Sequence, residues 1–220
     1  MTLAFFIEWL GKDPAYYVSV LATIVLSVTL HELGHGFAAL RQGDETPRLL
    51  GRMTLDPLVQ MGPQSLMMAA LLGIAWGVMP VNPSRFKSRR GESIVAFAGP
   101  AVNLVLGLIG LTALALVLRS QIQSAQDDPG LLLGEGRSNL VLFLTVFGSI
   151  NMLLCVFNLL PIPPLDGATV LADFVPGFRR LRSLPEAQPW FLGMLLVAFL
   201  VLPVHEWAMG LSSAYLRLWL

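Results

Sequence analysis

Residues 16–40 read YYVSVLATIVLSVTLHELGHGFAAL, an apolar run that would be roughly 37 Å long as a helix. That length is enough to cross a bilayer with some tilt. The run contains HELGHG at residues 31–36, which places His31 roughly 15 Å inside the end of the span. An ionisable side chain at that depth costs about 2.5–3.5 kcal/mol. The cluster His31, Glu32 and His35 therefore needs a physical reason.

A bound metal ion would supply that reason. His31 and His35 are four residues apart, so on a helix they share one face and can hold one zinc ion with two imidazoles. Glu32 follows the first ligand and can act as the general base that accepts a proton from water. The alternative is that these residues are a polar patch that forms hydrogen bonds with neighbouring helices. HExxH alone does not decide between the two, because so short a pattern also occurs by chance.

The composition is that of a membrane protein. Apolar residues make up 55% of the 220 residues and charged residues only 13%, against about 25% in soluble domains. The mean hydropathy is +0.70. Formal net charge is zero, which gives no case for nucleic-acid binding. Cys155 is the only cysteine, so a multi-cysteine zinc site is excluded and a metal must be held by His, Asp or Glu.

More apolar segments follow the first span. They are Leu66–Met79, Ser93–Leu118, Asn139–Leu160, Trp190–Leu202 and Glu206–Leu220. Leu66–Met79 is short and flanked by prolines, which favours a re-entrant or tilted element, and Leu49–Leu55 has the mixed pattern of a strand or hairpin. We predict an all-α polytopic membrane protein, a bundle of about four to six transmembrane helices with a short re-entrant or β-hairpin element.

Basic residues predict the orientation. Arginine and lysine are concentrated in the connectors 41–62, 81–92 and 176–188, whereas 119–138 is poor in both. The positive-inside rule then places the three basic connectors in the cytoplasm and 119–138 outside, in a multi-pass protein.

A third metal ligand is expected in NLLPIPPLDG at residues 158–167. Its prolines unwind the chain after the third span, and non-helical backbone at membrane depth is tolerated where it is buried in protein or lines a wet cavity. Asp166 in this stretch could reach the histidines, or it could instead cap a helix that begins at Gly167. His205 is the one remaining histidine, and it lies near an apparent membrane boundary.

These motifs together resemble the site-2 protease family of intramembrane zinc metalloproteases. HELGHG at 31–36, AGPAVN at 98–103 and FNLLPIPPLDG at 157–167 carry the resemblance, and GRMTLDPLVQMGP and MPVNPSRFKSRRGE are similar to the compact prokaryotic branch without a PDZ domain. We therefore expect residues 1–220 to form one membrane-embedded metalloprotease domain, with a core at about 16–175 and accessory membrane segments at about 189–220.

The resemblance implies a role for each matching residue. His31, His35 and Asp166 are expected to bind zinc, and Glu32 is expected to be the catalytic base. The implied substrates are single-span membrane proteins cut within the lipid bilayer in regulated intramembrane proteolysis. The implied location is the prokaryotic cytoplasmic (inner) membrane. Ala168 departs from the family, which often has a second glycine there.

Three asparagines and one connector are candidates for substrate contact. Asn158, Asn151 and Asn103 could donate hydrogen bonds to the substrate backbone or to a developing oxyanion, with Asn158 the preferred catalytic residue. The alternative for all three is interhelical hydrogen bonding. The connector residues Leu49, Leu50, Gly51, Arg52, Met53 and Thr54 could hold an unwound substrate by β-augmentation, which the resemblance supports and the sequence permits.

A non-enzymatic membrane zinc protein, either a transporter or a sensor, is the competing hypothesis. It would use the same His and Asp residues. It has no need of Glu32 beside His31, and a transporter needs ligands along a path, whereas this sequence has one cluster.

Overall fold

The computed structural model describes residues 6–127 and 138–220, which form ten α-helices. The helices are α1 (Trp9–Lys12), α2 (Pro14–Arg41), α3 (Thr46–Leu49), α4 (Pro57–Leu72), α5 (Gly91–Asp127), α6 (Asn139–Asn158), α7 (Asp166–Phe174), α8 (Pro176–Ser183), α9 (Gln188–Val201) and α10 (Val204–Leu216). Short 3-10 turns lie at Phe6–Glu8, Pro83–Arg85 and Pro185–Ala187. The prediction of an all-α protein is confirmed for this part of the chain, which contains no β-strand.

Three of the described helices are long and apolar enough to cross a membrane: α2, α5 and α6. They coincide with the three strongest predicted spans. The expected total of four to six spans is not confirmed, because α4, α9 and α10 have 16, 14 and 13 residues, fewer than the roughly 20 that a spanning helix needs.

Helix α5 extends beyond its predicted end at Leu118. It continues to Asp127, since residues 119–127 contain no glycine or proline to break the helix. Half of the predicted outer loop 119–138 is thus helical, and residues 128–137 lie outside the described residues.

The ends of α2 follow from local chemistry. Asp13 accepts a hydrogen bond from the backbone N–H of Tyr16 at 3.0 Å, and Pro14 occupies the first turn, where its missing N–H costs nothing. The helix ends at Arg41, shortly before Gly43, whose φ of +95° is readily adopted only by glycine.

The three long helices pack against one another and place the centre of the bundle at α5. Helices α5 and α6 approach so closely that a Cβ atom at Gly110 would lie 3.1 Å from the backbone of Gly148. Small residues at such crossings let two membrane helices come into backbone contact. On the other side of α2, Val20 and Ile24 pack with Met61 of α4 in a buried apolar cluster.

Helix α4 is followed by a chain that runs back along it. Gly73 ends the helix with a φ of +71°. The non-helical segment 74–82 then passes α4 in the reverse direction. Both backbone groups of Trp76 bond to the hydroxyl of Ser65, and the N–H of Val78 donates to the carbonyl of Gln60 at 3.1 Å. The predicted re-entrant segment Leu66–Met79 thus consists of the end of α4 and an irregular stretch of chain that runs back along that helix.

The predicted strand or hairpin at Leu49–Leu55 is wrong. The segment begins in α3 and continues as a turn, in which Gly51 has a φ of +66°. The backbone N–H groups of Leu49, Leu50 and Arg52 donate to carbonyls of residues 45, 46 and 47, so local turns use the donors that a strand partner would need. Pro47 at the start of α3 favours this helical turn.

The C-terminal part adds four shorter helices, α7 to α10, to the bundle. The chain after the prolines forms α7, and the basic connector 176–188 begins with α8. Pro203 separates α9 from α10, so the last two apolar segments are two distinct helices. Helix α10 packs on the bundle, where the hydroxyls of Tyr215 and Thr112 lie 2.7 Å apart.

Candidate metal centre

Helix α2 presents two histidines to the interior of the bundle. His31 and His35 are 7% and 8% exposed, and their Nε2 atoms lie 3.0 Å apart. The i, i+4 spacing brings both rings to one helix face, as the sequence predicts. Two buried imidazole nitrogens so close together are arranged to share one partner.

Asp166 supplies the third group. Its Oδ2 atom lies 3.1 Å from Nε2 of His31, and its Oδ1 atom lies 3.4 Å from Nε2 of His35. Asp166 is the first residue of α7 and Leu165 occupies the N-cap position, so the capping role left open by the sequence is not the one found. The carboxylate points to the histidines because the proline-rich turn after α6 brings α7 back against α5.

The other ring nitrogens have fixed partners. Nδ1 of His31 lies 2.6 Å from Oδ1 of Asn103, and Nδ1 of His35 lies 2.7 Å from the backbone oxygen of Val95. Both partners belong to α5. Metal-binding histidines commonly use their second nitrogen in this way, which fixes the direction of the first.

The three side chains fit a metal ion by geometry. The three groups form a triangle whose closest separations are 3.0 Å between the two Nε2 atoms, 3.1 Å from Nε2 of His31 to Oδ2 of Asp166, and 3.4 Å from Nε2 of His35 to Oδ1 of Asp166. Ligands at about 2.0–2.2 Å from a tetrahedral zinc ion are separated by roughly 3.3–3.6 Å. Oδ2 of Asp166 is buried and makes no hydrogen bond within the described chain, as suits a metal ligand.

Gly99 of α5 leaves space beside this triangle. A Cβ atom at position 99 would lie 2.5 Å from Nε2 of His31 and 2.5 Å from Nε2 of His35. In the described residues, the one group of three or more His, Cys, Asp or Glu side chains able to hold a metal is His31, His35 and Asp166. Two imidazoles and one carboxylate form a donor set used by catalytic zinc, with one position left open.

Glu32 lies beside the cluster and is 6% exposed. It interacts electrostatically with His31, His35 and Asp166, and also with Arg52. A Cβ atom at Gly77 would collide with the Glu32 carboxyl group, so the return segment 74–82 passes directly over this side chain. Glu32 is therefore held between the three candidate metal ligands and the segment 74–82.

The remaining predicted residues are distributed around this centre. Asn103 and Asn151 are completely buried and bond to each other across α5 and α6 at 3.0 Å, so they make the interhelical contact that the sequence left as an alternative. Asn158 ends α6, and its Nδ2 donates to the carbonyl of Leu154 at 3.0 Å. His205 is exposed in α10 and is not in the metal cluster.

The predicted connector, residues Leu49 to Thr54, lies partly at the site. A Cβ atom at Gly36 would lie 2.6 Å from Sδ of Met53 and 3.2 Å from Cε of Met79, so both methionines cover the HELGHG segment. Leu49 and Leu50 point away and are 74% and 59% exposed.

Two residues that contribute to this site were not predicted from the sequence. Gly77 lies in an apolar stretch that gave no signal of its proximity to Glu32. Val95 acts through its backbone oxygen, which no side-chain pattern can reveal.

A model of peptidase family M50 matches residues 19–132 and 134–202, which is most of the chain and includes all three cluster residues. This chain belongs to peptidase family M50. The resemblance to site-2 proteases is thereby confirmed, and so is the prediction of a metalloprotease in a membrane.

Curated relatives of this M50 peptidase are named for the same chemistry. The protein "Putative zinc metalloprotease YwhC" of Bacillus subtilis is 33% identical over 179 residues, covering 80% of this chain and 78% of the relative. "Putative zinc metalloprotease Rip2" of Mycolicibacterium smegmatis is 31% identical over 216 residues, covering 91% and 76%. The Rip2 protein of Mycobacterium tuberculosis strain H37Rv is 32% identical over 200 residues, covering 88% and 71%. No solved structure shows significant similarity to this chain.

Proposed function

We propose that this M50 peptidase is an intramembrane zinc endopeptidase that hydrolyses peptide bonds of single-span membrane proteins, as in regulated intramembrane proteolysis. The observation that carries the proposal is the convergence of His31, His35 and Asp166 beside Glu32, where both histidines and Glu32 lie in a helix long and apolar enough to span a membrane. We place the protein in the prokaryotic cytoplasmic membrane as a multi-pass protein, in accord with its relatives' bacterial origin.

His31, His35 and Asp166 would hold the zinc ion. When bound, zinc acidifies water and polarises a carbonyl oxygen. The Nδ1 contacts with Asn103 and Val95 keep the two rings in place for ligation. This arrangement leaves Glu32, the other acidic residue of the cluster, free for proton transfer.

Glu32 would act as general base and then as general acid. Its carboxylate takes a proton from the attacking water as the water oxygen bonds to the scissile carbonyl carbon. The same proton passes to the amide nitrogen as the C–N bond breaks, which yields a carboxylic acid and an amine that then ionise to a carboxylate and an ammonium group. Burial under the segment 74–82 supports this role, because excluded solvent strengthens every electrostatic interaction at the site.

Asn158 is our candidate for hydrogen bonding to the developing oxyanion. Its position at the end of α6, shortly before the turn that carries Asp166, favours it over Asn103 and Asn151, whose amides are engaged with each other. The Nδ2 group now donates to Leu154, so Asn158 must exchange this partner when substrate is present.

The substrate backbone would be held by the segment 74–82 together with Arg52, Met53 and Thr54. Trp76 and Val78 direct backbone groups to α4, whereas the backbone groups of Gly77 and Met79 make no hydrogen bond within the described chain. This alternation is typical of an extended chain with one open edge. A substrate helix hides its carbonyls, and pairing with an open edge would stabilise its unwound form. Leu49, Leu50 and Gly51 would line the path by which the substrate reaches the site from the membrane face that carries the basic connectors.

Cleavage of single-span reporter proteins in liposomes tests the proposal. We would compare wild type with Glu32→Gln and with a zinc chelator, and measure the zinc content of each sample. We expect wild type to cleave and Glu32→Gln to keep its zinc while its rate falls by about 10²–10⁴-fold, the range for loss of a general acid–base.

His31→Ala and His205→Ala form a matched pair of histidine variants. Loss of zinc and cleavage in His31→Ala, with both retained in His205→Ala, would support the assigned centre. Cleavage that persists in Glu32→Gln and in the presence of chelator would refute the proposed function.

A further inference from the structure

We propose that Asn151 and Asn103 form a hydrogen-bond relay that sets the tautomer of His31 and so aims its Nε2 lone pair at the zinc position. Both are positioning residues that act through His31. The inference rests on the proposed function, because it concerns the same zinc centre, and it goes beyond that function by assigning two residues that bind neither metal nor substrate.

The relay crosses three helices through three short contacts. Nδ2 of Asn151 in α6 donates to the backbone oxygen of Phe147 at 2.9 Å. Nδ2 of Asn103 in α5 donates to Oδ1 of Asn151 at 3.0 Å. Oδ1 of Asn103 then lies 2.6 Å from Nδ1 of His31 in α2. Each contact joins a donor to an acceptor.

The direction of the relay is set at its outer end. The carbonyl of Phe147 can only accept a hydrogen bond, so Asn151 must turn its NH₂ group to that carbonyl and its oxygen to Asn103. Asn103 must then present its own NH₂ group to Asn151 and its oxygen to His31. An oxygen facing Nδ1 requires that Nδ1 carries the proton, which leaves Nε2 of His31 with a lone pair.

Comparison with His35 shows why a second asparagine is needed. Nδ1 of His35 lies against the backbone oxygen of Val95, an acceptor that cannot reverse its polarity. Nδ1 of His31 instead meets a side-chain amide, which can rotate by half a turn and present its NH₂ group. That rotation would favour the proton on Nε2, where it blocks ligation. The contact with Asn151 prevents the rotation, since a reversed Asn103 would direct its oxygen at the oxygen of Asn151.

Burial makes the constraint strict. Asn103 and Asn151 are both 0% exposed, so water cannot replace a lost partner. An amide buried without a partner is costly, and this cost keeps the whole relay in one orientation.

Two pairs of variants at these positions test the relay, with the zinc dissociation constant in detergent as readout and thermal unfolding as control for folding. Asn103→Asp and Asn103→Leu both lose the NH₂ group that bonds to Asn151, but only Asn103→Asp keeps an oxygen against His31. We expect zinc binding by Asn103→Leu to weaken by about 10–100-fold, the range for lost outer-shell partners, and binding by Asn103→Asp to stay within about threefold of wild type.

The second pair leaves His31's own partner in place. Asn151→Asp keeps the oxygen that receives the NH₂ group of Asn103, whereas Asn151→Leu frees Asn103 to rotate. We expect weaker zinc binding in Asn151→Leu than in Asn151→Asp. If Asn103→Leu does not fold, this second pair tests the relay on its own.

Equal zinc affinity of the Asp and Leu variants within both pairs would overturn the relay. The proposed function would remain intact in that case, provided that wild type binds zinc and cleaves substrate. Failure of wild type itself to bind zinc would overturn both. A purely structural role predicts equal losses in the Asp and Leu variants, because both lose a bond between α5 and α6.

Discussion

Gly99 of α5 faces His31 of α2 so closely that a Cβ atom at position 99 would lie 2.5 Å from Nε2 of the histidine. Glycine is the one residue that leaves this side of the ligand triangle open. We expect Gly99→Ala to lower zinc affinity, because the methyl group must push the imidazoles apart or occupy the ion's place. Overpacking costs about 1–3 kcal/mol, or roughly 5- to 150-fold in affinity. Zinc competition with a chromophoric chelator measures this change.

Gly107→Ala is the control for Gly99→Ala, because it overpacks the same helix away from the ligands. A Cβ atom there would lie 2.9 Å from Sδ of Met152, a flexible side chain. We expect Gly107→Ala to keep its zinc, and equal zinc loss in both variants would contradict the specific role of Gly99.

Gly77 lies as close to the carboxyl group of Glu32, the proposed general base, as Gly99 lies to the two histidines. A Cβ atom at this position would overlap Cγ, Cδ and Oε1 of Glu32, so Gly77→Ala must displace either the carboxylate or the segment 74–82. We expect cleavage to fall by about 10²-fold, the scale for a displacement of about 1 Å, while zinc stays bound. Gly193→Ala, where a Cβ atom meets nothing within 4 Å, should cleave as wild type does. Normal cleavage by Gly77→Ala would show that this contact is dispensable.

Ser65 ties the return segment to α4. Its hydroxyl donates to the carbonyl of Trp76 at 2.7 Å and accepts from the N–H of the same residue at 2.8 Å. Ser65→Ala leaves both backbone groups without this partner at a site where Ser65 is 0% exposed. We expect a loss of about 1–3 kcal/mol in the free energy of unfolding and faster hydrogen exchange at 74–82.

Ser212→Ala is the matched change for Ser65→Ala. The hydroxyl of Ser212 is also buried, but it bonds only to Ala208 in its own helix. Its effect on exchange at 74–82 should be nil. A uniform rise in exchange in both variants would mean that Ser65 has no special hold on the segment.

Asp44 joins the end of α2 to the end of the return segment. Its carboxylate accepts hydrogen bonds from the N–H of Asn82 at 2.6 Å and from the N–H and hydroxyl of Thr46 at 3.0 and 2.5 Å. Burial alone would raise the pKa of Asp44, but the hydrogen bonds from Asn82 and Thr46 and the charge of Arg85 outweigh it and lower the pKa below the ordinary value. The ionised form is therefore favoured by folding.

This lowered pKa predicts an acid-sensitive contribution to stability. Above the ordinary pKa of about 4 the stabilisation is fully present, and it is lost as pH falls through the lower pKa of the folded state. Asp44→Asn should be less stable than wild type by about 1.5–3 kcal/mol at neutral pH. The difference should stay flat from pH 5 to 8 and shrink below about pH 4 in thermal unfolding. A difference that is constant down to pH 3 would contradict the prediction.

The sequence was sufficient to predict those features that depend on a single helix. His31, Glu32 and His35 could be assigned together because the helical repeat alone puts residues i and i+4 on one face. The three helices long and apolar enough to span a membrane could be predicted because an apolar run of sufficient length has few alternatives in a bilayer. Both features are local and do not depend on partners.

The connector Leu49–Leu55 shows where a local pattern misleads. Its mixed apolar and polar residues are compatible with a strand, but a strand requires a partner for its backbone groups. Pro47 and Gly51 instead favour turns that use those groups within the connector. The backbone that lies over Glu32 belongs to segment 74–82, which reached that place only because α4 reverses the chain.

The sequence by itself determined the family, the three helices long and apolar enough to span a membrane, and the pair of histidines with their glutamate. Only the tertiary structure decided that Asp166 faces the histidines and does not cap α7, that Asn103 contacts both His31 and Asn151, and that Gly77 covers Glu32. The physical reason is that each of these contacts joins residues in different elements of the fold. The rotation and approach of packed helices depend on the small residues at their crossings, and no periodicity within a single helix specifies them.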